Sequence, residues 1–477
     1  MNDQNAGSAA ATDDAAAAAD FTHAGQAIGG TSPAMTAAEP DGAPRIAVLD
    51  ILRGIAILAI LFMNINDMGG SLFASFDDVR HFGWARQDQV AWWLREVIAN
   101  GTARCMLEML FGAGMVILTD RAALAVGTRV VMKRYYVRNL LLFAFGLVHI
   151  FILLWPGDIL HTYGLAALVA FLFRRLRPRL LIVFGLAAAV LQFAGGTYGY
   201  VSTVQTQARV AAIEAARGAG RPVEAADRAF LAKIAKNKAA RAKSKAEDKA
   251  RIVAEDKART GSFRTWAAYQ WSVTAYLESR GLELLFVWEA AGVMLIGAAL
   301  YRLGILQGSR SRAFYWRMTV IAYGVAIPLR IIGAAEQMRF DTSAKTLWAT
   351  TEIARQAMTL GHVGAVNLLV GTLVGARLLR PFVAAGRTAL SIYVLQTIVG
   401  LWILFPPFAL GLYGRLGWAE LMATALVIDV ALLWLANAYL KRFTIAPVEW
   451  AWRSLIERRR LAWRKPRAEP RGRLEPA

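Results

Sequence analysis

RIAVLDILRGIAILAILFMNIND, residues 45–67, is the stretch on which the fold turns. It is an apolar run long enough to cross a bilayer as a helix, for which about 20 residues suffice. Three polar residues interrupt it: Asp50, Arg53 and Asn64. Asp50 and Arg53 are three residues apart, so they share a helical face. Arg53 and Asn64 are eleven apart, about three turns or roughly 16 Å along the axis, and return to nearly the same face. A charge at the bilayer centre costs about 2.5–3.5 kcal/mol on insertion scales, so it normally faces protein or a water-filled cavity. The helix is therefore expected to line an internal binding site with Asp50, Arg53 and Asn64. The plainer alternative is an Asp50–Arg53 pair that caps the end of a span.

Composition extends this reading to the whole chain. Of 477 residues, 57% are hydrophobic and only 18% are charged, and the mean hydropathy is +0.40. The net charge of +20 lies largely in short basic stretches between apolar runs, as in cytoplasmic loops. No basic motif is interleaved with aromatic residues, so nucleic acid is not an expected partner. The single cysteine, Cys105, excludes an intrachain disulfide and a Cys-rich metal site. Residues 1–44 are rich in Ala, Gly, Thr and acidic residues, with no Lys or Arg before Arg45. That composition is expected to be a disordered tail and lacks the basic start and apolar core of a signal peptide.

The expected fold class is all-α: a polytopic transmembrane bundle of about ten spans with an extra-membrane helical insertion. Spans 1–5 occupy 45–203, a charged insertion 204–270, spans 6–10 occupy 271–442, and a basic tail 443–477. The insertion is rich in Ala, Lys, Arg and Glu and repeats AEDKA at 246–250 and 254–258. It reads as a solvated helical hairpin. The basic stretches at Arg129–Arg138, Arg174–Arg179, Arg310–Arg317, Arg377–Arg387 and after Lys441 fall on one side of ten spans. The positive-inside rule then puts both termini in the cytoplasm of a bacterial inner membrane.

Two further segments carry candidate chemistry. In LVHIFILLWPGDILHTYG, residues 147–164, Pro156-Gly157 punctuates a tight turn between the third and fourth spans. His149 precedes the turn and His161 follows it, with an axial offset of only about 4–5 Å. Asp158 suits the N-terminus of the fourth span, where a carboxylate satisfies free backbone N–H groups. His149 is the candidate general base, with Asp158 or His161 orienting it. In GRTALSIYVLQTIVG, residues 386–400, Arg387 and Ser391 share a face and Gln396 lies deeper. These are candidate substrate or cofactor contacts, Arg387 suiting a phosphate. They equally suit inter-helix glue and a snorkelling arginine. Glu289, Arg330, His362 and Asn367 are embedded polar residues with no partner legible in the sequence. No P-loop, dinucleotide fingerprint, nucleophile elbow or paired-His zinc motif occurs, and no metal is expected.

Four segments, 48–65, 143–164, 386–397 and APVEWAWRSL at 446–455, together resemble the YeiB-like family of bacterial inner-membrane proteins. That family carries a C-terminal domain of unknown function numbered 418. The resemblance implies kinship with a wider transmembrane acyltransferase superfamily, including the type-three acyltransferases and the lysosomal heparan glucosaminide acetyltransferase. In the type-three group the first span carries an Arg followed eleven residues later by a His. Here the pair is Arg53 and Asn64, so the departure shifts the role of base to His149. The implied donor is an acyl-coenzyme A held by Arg53 and Arg387, and the implied acceptor an envelope glycan, a lipid or a small molecule. Two other readings compete: a transporter whose buried polar groups relay protons, and a non-catalytic scaffold. No inverted repeat supports the former.

Overall fold

The computed structural model describes residues 47–121, 127–279 and 281–465. The expected tail 1–44 and the end of the basic tail lie outside the described residues. Among the described residues the structure is helical, with no strand. The first stretch forms α1 (Ala47–Gly69), followed by α2 (Leu72–Asp77), a 3₁₀ turn (Val79–Phe82), α3 (Arg86–Leu94) and α4 (Thr102–Val116). The hairpin is α5 (Thr128–Phe151) and α6 (Leu160–Leu172). Next come α7 (Pro178–Gly218), α8 (Ala225–Arg259), α9 (Phe263–Ser279), α10 (Leu282–Arg302) and α11 (Arg312–Gln337). The chain closes with α12 (Leu347–Val370), α13 (Leu373–Arg387), α14 (Ala389–Thr397), α15 (Trp418–Arg442) and α16 (Pro447–Glu457).

Each of the ten expected spans is helical, but they are not equal. Among the described residues six are long and apolar enough to cross a membrane: α1, the α3–α4 run, α7, α10, α11 and α15. The bent pair α12–α13, broken by 116°, would make a seventh. The Thr372 hydroxyl accepts the Gly375 N–H at 3.0 Å and so starts a new helix at this break. α6 has 13 residues, about 20 Å, too short for a hydrocarbon core of about 30 Å. Residues on α15 such as Val427 and Trp434 are 70% and 71% exposed, an apolar outer face suited to lipid. The protein is a membrane protein.

Small residues set the inner packing. A Cβ on Gly112 of α4 would lie 1.8 Å from the Met294 carbonyl oxygen of α10, whereas Gly114 has nothing within 4 Å. Only the first of these two glycines is a close-packing position.

The charged insertion differs from a free hairpin. α7 continues unbroken from the fifth span through residue 218, so no boundary exists near 203. α8 then returns to the bundle. Glu255 of the second AEDKA copy accepts from the Ser71 hydroxyl at 2.6 Å and from Leu72 N–H at 3.0 Å. Arg259 donates to the carbonyls of Asp67 at 3.0 Å, Gly70 at 2.8 Å and Met68. Glu247 of the first copy is exposed. Position along the fold, and not local sequence, makes one copy a clamp and the other a solvated face.

Candidate functional site

The hairpin turn is built before the site. α5 ends at Phe151, and Leu154 adopts φ +58°, a left-handed conformation seldom taken by leucine. Two side chains hold the turn from outside: Gln270 of α9 donates to the Leu154 carbonyl at 3.2 Å, and Trp402 to the Leu153 carbonyl at 2.8 Å. The chain then reaches Asp158, whose carboxylate accepts the His161 N–H at 2.9 Å at the start of α6.

This capping carboxylate is also the centre of the site. Asp158 Oδ1 lies 2.7 Å from His149 Nδ1, and Oδ2 lies 2.9 Å from His161 Nδ1. His149 Nε2 lies 2.9 Å from the Thr397 hydroxyl. His149, Asp158, His161 and Thr397 are all buried. The Tyr393 ring stands 4.8 Å from that of His149, and its hydroxyl accepts the Ile159 N–H at 3.2 Å. Thr397 ends the regular part of α14, and residues Ile398–Leu404 continue as a wider π-helical turn. Such turns re-aim side chains and recur at functional sites. The three hairpin candidates thus meet around one carboxylate. Thr397 carries no sequence signal of its own beyond a hydroxyl in an apolar run.

The other candidates divide between two places. Asp50 and Arg53 pair at 3.0 Å near the start of α1. A Cβ on Gly386 would lie 1.9 Å from the Asp50 carbonyl oxygen, so Arg387 follows directly on this crossing of α1 and α13. Arg387 donates to the Thr444 carbonyl at 3.3 Å. The Ser391 hydroxyl donates to Glu449 of α16, which also accepts the Leu390 N–H at 2.7 Å. Glu449 therefore caps α14, and its burial holds its carboxyl above the usual range. Gln396 donates to the Ile57 carbonyl at 3.1 Å and to Asp429 at 3.2 Å. Ser391 and Gln396 act as inter-helix ties in this arrangement. Asn64 is half-buried on α1.

A second buried network was not legible in the sequence. Arg104 and Arg355 both hold Glu289, the first at 2.8 Å, and Arg355 also holds Glu352 at 2.7 Å. Glu108 is fully buried, 3.7 Å from Arg104 and 3.6 Å from Arg355, with neither oxygen in a hydrogen bond. Its members come from α4, α10 and α12, so no local spacing could reveal it.

Residues 300–459 match a family model described as a protein of unknown function, DUF418. The uncharacterized protein YeiB of Escherichia coli K12 is 26% identical over 428 residues, covering 87% of this chain and 97% of that protein. The uncharacterized protein YxaH of Bacillus subtilis 168 is 26% identical over 432 residues, covering 86% and 94%. The chain resembles these YeiB-like proteins over most of its length. No solved structure matches it. The DUF418 segment spans α11 to α16 and supplies Tyr393, Thr397 and Glu449. The histidine cluster lies before it. The site is therefore completed only when the segment matching DUF418 packs against the N-terminal hairpin.

Proposed function

We propose that this YeiB-like protein transfers an acyl group from an acyl-coenzyme A to a hydroxyl or amine acceptor, with His149 as general base. The observation that carries the reading is the line Asp158–His149–Thr397, with a carboxylate at 2.7 Å on one imidazole nitrogen and a hydroxyl at 2.9 Å on the other. Asp158 fixes the tautomer with the proton on Nδ1 and leaves Nε2 basic. The Thr397 hydroxyl marks where an acceptor X–H would stand. Nε2 takes the acceptor proton as X attacks the thioester carbonyl, the C–S bond breaks, and the imidazolium returns the proton to the leaving thiolate.

The donor's phosphates would bind Arg53 and Arg387 at the α1–α13 crossing. Arg302 donating to the Leu176 carbonyl at 2.8 Å, and the Arg134–Glu457 pair, gather the basic stretches at one end of the bundle. By the positive-inside tendency that end faces the cytoplasm, the source of acyl-coenzyme A. The Ile57–Gln396 contact lies about one turn, roughly 6 Å, beyond Arg53 along α1. A thioester arm entering between α1 and α14 would thus run toward Thr397 and His149. The acceptor class, a glycan, a lipid or a small molecule, would enter from the opposite side.

The test is calorimetry of acetyl-coenzyme A with the full chain in detergent. Saturable binding is expected, at least tenfold weaker in Arg53→Ala. With a membrane extract as acceptor source, thiol release is expected to fall by roughly 10²–10⁴ in His149→Ala. A folded sample that binds no acetyl-coenzyme A overturns the reading. The Arg104–Glu108–Glu289–Arg355 network favours the second reading, a proton-coupled transporter, which predicts flux in vesicles without a covalent product.

A further inference from the structure

On the far side of Asp158 from His149, the ring of His161 faces two carboxylates that the acyl-transfer reading does not use. Glu283 Oε2 of α10 lies 3.2 Å from His161 Nε2, and Glu278 Oε1 of α9 lies 3.7 Å away. The Nε2 atom and one oxygen from each glutamate lie within 4.8 Å of one another. The His161 side chain is 5% exposed, and its Nε2 faces Glu283 without a well-formed hydrogen bond. Glu283 Oε1 is also buried and without a hydrogen bond. Burying a donor or acceptor without a hydrogen bond is unfavourable, so an arrangement of two such atoms needs a reason.

Charge points the same way. Asp158, Glu278 and Glu283 place three carboxylates around two imidazoles. Among the described residues none of the three pairs with a Lys or Arg. Glu278 is 34% exposed and opens the cluster to solvent, while His161 closes it inside.

We propose that His161, Glu278 and Glu283 bind one divalent transition-metal ion, of the zinc or manganese kind. Imidazole with carboxylate oxygens is a ligand set suited to such ions. Asp158 is the positioning residue: by accepting the Nδ1 proton it presents the Nε2 lone pair to the metal and raises its basicity. Metal–ligand bonds near 2.0–2.2 Å require the three ligand atoms to draw together by about 1 Å, which the half-exposed Glu278 provides by a change of rotamer. Three protein ligands leave further positions for water or a substrate oxygen. His161 lies on a different helix, far in the chain from Glu278 and Glu283, which is why spacing alone gave no metal motif.

The experiment uses the full chain in detergent, stripped with a chelator and titrated with Zn²⁺ in competition with a chromophoric chelator. Co²⁺ absorption serves as a second readout. One equivalent is expected to bind, with affinity at least tenfold lower in Glu278→Gln and in Glu283→Gln. Co²⁺ in the wild type is expected to give a visible band that both variants lose. Asp158→Asn is expected to weaken binding by 10–100-fold without changing the stoichiometry. Glu420→Gln, an exposed cap of α15, is the unaffected control. Each variant is first shown to be folded by thermal protection of the Cys105 thiol. Absence of saturable binding in folded wild type overturns the proposal, because a proton shared between His161 and the glutamates then accounts for the cluster. Affinity unchanged from wild type in the two glutamate variants also overturns it. Metal binding is read without an acyl donor, so its outcome is independent of the acyl-transfer reading.

Discussion

Replacing Gly146 by alanine should pry the histidine hairpin apart. Gly146 lies on α5 one turn before His149 and faces the start of α6. A Cβ there would lie 2.3 Å from the His161 backbone nitrogen and 2.7 Å from its Cα, both atoms that no rotamer can move away. Ordinary contact begins near 3.4 Å, so the two helices must separate by about 1 Å. Overpacking of this kind costs about 1–3 kcal/mol. Alanine in place of glycine returns roughly 0.5–1 kcal/mol of helix propensity. The net loss should be about 1–2 kcal/mol, with the Asp158 bonds to His149 and His161 stretched. The chain supplies its own reporter: Cys105 is the single cysteine and is fully buried. A thiol-reactive fluorophore added during a heating ramp on the full chain in detergent reads its exposure. Unfolding under these conditions is a rate process, so melting temperatures are compared at one ramp speed. Gly146→Ala should melt about 1–2 °C below wild type. Gly114→Ala, where an added Cβ meets nothing within 4 Å, should melt at or above it. If Gly146→Ala matches Gly114→Ala, the close α5–α6 approach and the geometry built on it are wrong.

The insertion gives two further predictions. Arg259→Ala removes three donations to α1–α2 carbonyls and strands Glu255 in a buried position, a loss of about 3–5 kcal/mol for a broken buried pair. Hydrogen exchange across 225–259 should quicken, and Glu255→Gln in the same chain should restore part of the protection; unchanged exchange would rule out the clamp. His81 Nε2 lies 3.2 Å from Asp256, whose other oxygen accepts from Tyr413 at 2.8 Å. The bond to Asp256 raises the His81 pKa above its usual 6.5. Burial pushes Asp256 up, but its bonds to His81 and Tyr413 hold it below its usual 3.8. The His81 contribution is complete below pH 6.5 and is lost as pH rises through the raised value; the Asp256 contribution is lost only in stronger acid. Because both side chains are over a third exposed, the effect should be small: protection of α8 amides, relative to their intrinsic base-catalysed exchange, falls modestly from pH 6 to 9 in wild type and stays flat in His81→Gln.

The candidate site was legible to different depths in different places. His149, Asp158 and His161 were readable together because a Pro-Gly turn folds a short stretch back on itself, and local spacing then fixes which side chains meet. Ser391 and Gln396 were readable as polar residues in an apolar helix. That they tie helices through Glu449, Ile57 and Asp429 was not, since each partner is far away in the chain.

What the sequence by itself determined is the class of the molecule: long apolar runs fold as helices in a bilayer, because a backbone in lipid must satisfy its own hydrogen bonds. It also determined the hairpin, through the turn at Trp155-Pro156-Gly157-Asp158. Only the tertiary structure decided which of two identical AEDKA copies grips the bundle. It also decided that Thr397 meets His149, and that Glu278 and Glu283 converge on His161. The reason is physical: helical periodicity says which face a residue occupies, but the neighbour across that face is chosen by the packing of helices remote in sequence.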